Sequence, residues 1–108
     1  MSAIGLRGHQ PRTIQFTAEL APASADAARV HLSAPQPTSH LQIRNEEAAG
    51  GTSVKVYWLE ADFDADENFF TLAAASEFEG PAEVKEFWVR CLVGATAQTT
   101  AIFYLRRG

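Results

Sequence analysis

Thr13-Ile-Gln-Phe-Thr-Ala-Glu-Leu20 decides the fold class. Ile14, Phe16, Ala18 and Leu20 alternate with Thr13, Gln15, Thr17 and Glu19. A period of two places one set on the buried face of a β-strand and the other in water, whereas a helix would need a period near 3.6. The same alternation returns along the chain. His40 to Asn45 turns Leu41 and Ile43 inward, and Ser53 to Glu60 sets Val54, Val56 and Trp58 against Lys55, Tyr57 and Leu59.

Turn chemistry separates these runs. Gly50-Gly51 within 45–52 predicts a hairpin loop, and Gly94 to Ala97 predicts a turn between strands 84–93 and 98–106. Pro22 and its small neighbours predict a loop over 21–28, followed by a short strand at 29–33 that Pro35 and Pro37 end. An acidic loop is expected over 61–67, with short strands at 68–72 and 77–79 before Gly80-Pro81. Seven or eight short strands, no long helical period and no internal repeat predict an all-β protein: a single antiparallel β-sandwich, jelly-roll-like, over residues 13–108. Residues 1–12, with Gly5, Gly8, Pro11, Arg7 and Arg12, predict an N-terminal arm that is either flexible or ordered by a partner.

The 108 residues suffice for one domain, and 46% hydrophobic content supports a packed core. A formal charge of −4 argues against a nucleic-acid partner, which needs a basic surface to displace counterions. No apolar run reaches the ~20 residues of a membrane-spanning helix, and the first 12 residues lack the apolar centre of an export signal. Cys91 alone forms no internal disulfide and reads as a buried structural thiol.

No catalytic constellation is apparent, so no enzyme and no cofactor are expected. His9, His31 and His40 lack metal-ligand spacing. Asp62, Asp64, Asp66 and Asn68 imitate the start of a calcium loop, but Glu67 stands where glycine is needed and Ala73 where glutamate is needed. No metal site is expected there.

The strands near the C-terminus carry a different message. On 84–93, Phe87, Val89, Cys91 and Val93 make one face, yet Trp88 and Leu92 flank Arg90 on the other. Ile102 and Tyr104 likewise oppose Ala101, Phe103 and Leu105. A two-sheet sandwich hides one face of each strand, so the second apolar face must be covered either by a loop such as the Ala/Pro segment or by another subunit. On the second alternative, Arg7, Arg12, Tyr57, Trp88, Arg90 and Leu92 are the interface candidates.

Leu41-Gln-Ile-Arg-Asn45, a glycine turn and Val54-Lys-Val-Tyr-Trp58, then Asn68 to Phe78, Glu86-Phe-Trp-Val-Arg90 and Thr100 to Arg107, together resemble the strand pattern of small all-β structural proteins of tailed-bacteriophage particles. The pattern covers residues 40–108; the glycine it expects near Ala74–Ala75 is absent. The resemblance implies a capsid decoration (cement) protein or another head or tail component. Such a protein is made in the bacterial host cytoplasm and resides in the virion, as a homo-oligomer (a trimer favoured) bound to the major capsid protein or another virion protein. The alternative from a different class is a ligand-binding sandwich such as a carbohydrate-recognition module, which would present Trp58, Trp88 or Tyr57 as an aromatic platform.

Overall fold

The computed structural model describes residues 9–34, 36–94 and 96–106. Among the described residues there are eight strands: β1 (His9–Glu19), β2 (Arg29–His31), β3 (Thr38–Asn45), β4 (Val54–Tyr57), β5 (Phe70–Leu72), β6 (Glu77–Pro81), β7 (Glu86–Cys91) and β8 (Thr96–Arg106). They form two antiparallel four-stranded sheets, ordered β1-β8-β3-β6 and β2-β7-β4-β5. The pairs β1·β8, β2·β7, β3·β6 and β4·β5 join strands equally distant from the middle of the chain. This is one long hairpin rolled onto itself, the winding of a jelly roll, and the expected all-β sandwich is the fold.

The rolling corrects the expected turns. Only β4 and β5 are consecutive strands of one sheet. The segment 45–52, read as a hairpin loop, instead leads from one sheet to the other, and β7 and β8, expected to be joined by a turn at 94–97, likewise belong to different sheets. Asn45 explains the first crossing. Its buried side chain donates to Thr52 O (2.9 Å) and, in the opposite sheet, to Leu72 O (3.1 Å), while its Oδ1 accepts from Glu47 N. Gly50, at φ +90°, supplies a turn inside this segment.

β1 begins at His9, four residues before the expected start, and pairs with β8 from His9↔Arg106 to Glu19↔Thr96. Residues 9–12, read as part of an arm, therefore belong to the sheet. Residues 1–8, with Arg7, lie outside the described residues. Ile14, Phe16 and Ala18 turn inward as predicted, whereas Leu20 falls past the strand end and is 45% exposed. Strand 53–60 is shorter than expected, because Glu60 already belongs to a helix.

Side chains fill the space between the sheets. Leu41, Ile43 and Phe103 from one sheet meet Val54, Val56 and Phe87 from the other. Phe87 and Phe103 face across the centre with ring centroids 6.1 Å apart. Phe70 and Phe78 close the β5–β6 side at 5.2 Å, with Trp58 against both. Trp58 is thus an inward residue.

Two short helices complete the fold: α1 (Ala25–Ala28) and α2 (Glu60–Ala65). Both fall in segments expected to be loops. Ser24 Oγ caps α1 by accepting from Ala27 N. Glu60 and Asp62 suit the positive N-terminal end of α2, and Asp66 ends it in the left-handed region, at φ 55°. One-turn elements are too short to write a helical period into a sequence.

Replacing Asn45 by Ala leaves the carbonyls of Thr52 and Leu72 without this donor. An expected loss of about 2–4 kcal/mol is measurable by urea unfolding, and an unchanged midpoint would refute the bridging role.

Candidate functional site

The outer face of the β2-β7-β4-β5 sheet gathers three of the six expected interface residues, Tyr57, Trp88 and Arg90. Tyr57 and Trp88 are adjacent there, as cross-strand partners on β4 and β7. Neither reaches the surface. Both are buried beneath Phe63 of α2 and Ala28 of α1, with Ala25 alongside. The second apolar face is therefore covered by the chain's own Ala/Pro segment and acidic segment, the first of the two alternatives. Trp88 Nε1 has no hydrogen-bond partner among the described residues.

Arg90, next to them on β7, lies over the Phe63 ring at 4.1 Å and near Tyr57 at 5.7 Å. It also approaches Asp66 Oδ1 at 3.6 Å. Asp66 is the hub that sequence reasoning missed. It accepts from the Tyr57 hydroxyl at 2.5 Å and from Lys55 Nζ at 3.1 Å. Burial, then the hydrogen bond to Asp66, pushes the Tyr57 hydroxyl far above its ordinary range. The Tyr57 hydroxyl and Lys55 hold the Asp66 carboxyl below its usual 3.8. The only sequence signal for this hub was the presence of Asp66 and Asn68 after Phe63, residue types that tolerate left-handed backbone. Of its acidic neighbours, Asp62 accepts from Asn68 Nδ2 at 3.1 Å. Among the described residues, no three His, Cys, Asp or Glu side chains are grouped to hold a metal ion.

The other candidates stand apart. Arg12, on β1, is exposed and donates to Gln10 Oε1 and Pro11 O. Leu92, just past β7, is 41% exposed and its neighbour Val93 61%. The backbone holds this segment firmly: Leu92 N donates to Ser53 O at 2.9 Å, and Thr52 Oγ1 donates to Val93 O. Leu20 belongs to the same end, since Ala18 O accepts from Cys91 Sγ and Glu19 pairs with Thr96. This end thus carries three exposed aliphatic side chains, two of them on a segment tied to Thr52 and Ser53, and the sequence singled out only Leu92 as an interface candidate.

The chain matches no protein-family model and no curated protein sequence. Among solved structures, it has a likeness to a chain of the virus-like particle of extra small virus from the giant freshwater prawn Macrobrachium rosenbergii. The TM-score is 0.30 and the identity 5%, over 94% of this chain and 81% of that one.

Asp66→Asn keeps a residue suited to the left-handed cap and removes the charge that Lys55 and Arg90 face. Because Asp66 is 46% exposed, solvent screening limits the expected loss at neutral pH to about 1 kcal/mol. A carboxyl depressed in the folded state stabilises above its unfolded pKa and loses that contribution as pH falls through the folded value. The gap between the wild type and the variant should therefore narrow on acidification below about pH 4, as followed by thermal melts. A gap independent of pH would exclude the ionic role.

Proposed function

We propose that this chain is a non-enzymatic structural protein of a virion: a capsid decoration (cement) protein of a tailed bacteriophage. In this reading it is made in the host cytoplasm, resides on the particle and reinforces subunit junctions through contacts with itself and with the major capsid protein. Jelly rolls serve capsid, lectin and cupin roles, so the fold alone decides nothing. One observation carries the reading: most aromatic groups, Phe69 excepted, are spent on the interior, while Leu20, Leu92 and Val93 meet solvent at one end of the sandwich. Trp58, Phe70, Phe78, Phe87 and Phe103 fill the space a cupin would keep for a ligand. Tyr57 and Trp88, the stacking platform a sugar-binding sandwich would need, lie under helices. Leu20, Leu92 and Val93 offer instead a firm aliphatic end suited to another protein's apolar surface.

The test is cosedimentation with heads assembled from a tailed-phage major capsid protein. Saturable binding, with heads that withstand higher temperature, is expected. Paired Leu92→Asp and Val93→Asp changes should leave the melting temperature of the free protein nearly unchanged and weaken binding more than tenfold, since each buried aliphatic side chain contributes about 1.5–3 kcal/mol. Failure of the unaltered chain to bind heads, or binding confined to a glycan array, would overturn the assignment.

A further inference from the structure

The two sheets have four edges, and three of them are guarded. β2 and β5 have three residues each, too short to template a partner. β6 carries Glu77, Glu79, Gly80 and Pro81 in five residues. Short length, charge and proline are the devices that keep an edge from pairing with another chain. β1 has none of them over its central stretch. It is an 11-residue strand bonded on one side to β8, and among the described residues no strand pairs with its other side. From Thr13 to Ala18 it contains no charge, glycine or proline.

Its sequence is also self-complementary. In an antiparallel pair, residues directly opposite share a face, so two copies of β1 can pair only in registers that match inward with inward residues. With Gln15 on the two-fold axis, Gln15 faces Gln15, Thr13 faces Thr17 and Ile14 faces Phe16. The outward row is then all polar, with threonine opposite threonine. The inward row sets an aromatic against a β-branched residue twice, a favourable cross-strand combination. Ile14 and Phe16 pack on the core but are only half-buried, and the partner's Phe16 and Ile14 would cover what remains exposed.

We propose that β1 is a homodimerisation edge, pairing antiparallel with β1 of a second copy about Gln15 and fusing the two β1-β8-β3-β6 sheets into one of eight strands. This inference stands whether or not the chain belongs to a virion.

Cysteine cross-linking of the full chain tests both the surface and the register. Cys91 is buried, so a cysteine introduced at an exposed position is the reactive one. Gln15→Cys should give a disulfide-linked dimer on mild oxidation. Thr13→Cys alone should not, because in this register the two copies of residue 13 are offset by four residues, about 13 Å along the strand. Mixing Thr13→Cys with Thr17→Cys protein should restore the cross-link. In sedimentation equilibrium, Gln15→Lys sets two ammonium groups face to face at an exposed position and should weaken the dimer by about fivefold, less so at high salt. A retained circular dichroism spectrum would confirm that the variant folds. A chain that stays monomeric up to 100-micromolar order, or a dimer in which Thr13→Cys links as readily as Gln15→Cys, would overturn the proposal.

Discussion

A chain of this length rolled into two four-stranded sheets has one interior, and each strand can turn only one face toward it. β4 and β7 nevertheless carry large apolar side chains on both faces. Val56 and Val89 point to the interior, while Tyr57 and Trp88 point away from it. The fold meets this by spending its two longest non-strand stretches on the outer face. Phe63 and Ala28 supply the cover, and Asp66 fastens it by drawing Tyr57, Lys55 and Arg90 to one carboxylate. α2 is therefore a lid pinned by charge over a second small core. Both cores must form for β4 and β7, the strands they share, to be satisfied on their two sides.

Alternation made most of this legible in advance. Ile14, Phe16, Leu41, Ile43, Val54, Val56, Phe87 and Val89 all turn toward the core as their spacing requires. What the period of two does not encode is which sheet a strand joins. Gly50-Gly51 has the chemistry of a hairpin, yet the deciding residue is Asn45, whose amide reaches across the end of the sandwich to Leu72. A polar residue at the end of an apolar strand does not announce a partner 27 positions away. The second apolar faces were readable too, but not their cover, because α1 and α2 are too brief to leave a periodic trace. Asp66 lay in what looked like an undistinguished acidic run, since its importance comes from where Tyr57, Lys55 and Arg90 sit in space.

The division between aromatic interior and aliphatic surface also bears on how the molecule meets others. Rings locked between sheets give the sandwich a fixed shape. The exposed Leu92 and Val93 sit on a segment whose backbone is bonded to Ser53 and Thr52, so little conformational freedom remains to be lost when they are covered.

The pairing of β1 with β8 sets when this protein can come into being. His9 has its partner at Arg106, and β8 also lies between β1 and β3. Until residue 106 has left the ribosome, one of the two sheets lacks a central strand and β1 has nowhere to dock. Folding must then bring together segments almost a full chain length apart, the contact pattern associated with slow, all-or-none assembly of β-proteins. During synthesis the alternating Thr13 to Leu20 segment waits longest for cover. A nascent chain would thus depend on concentration or chaperones to keep its first strand from finding the wrong partner.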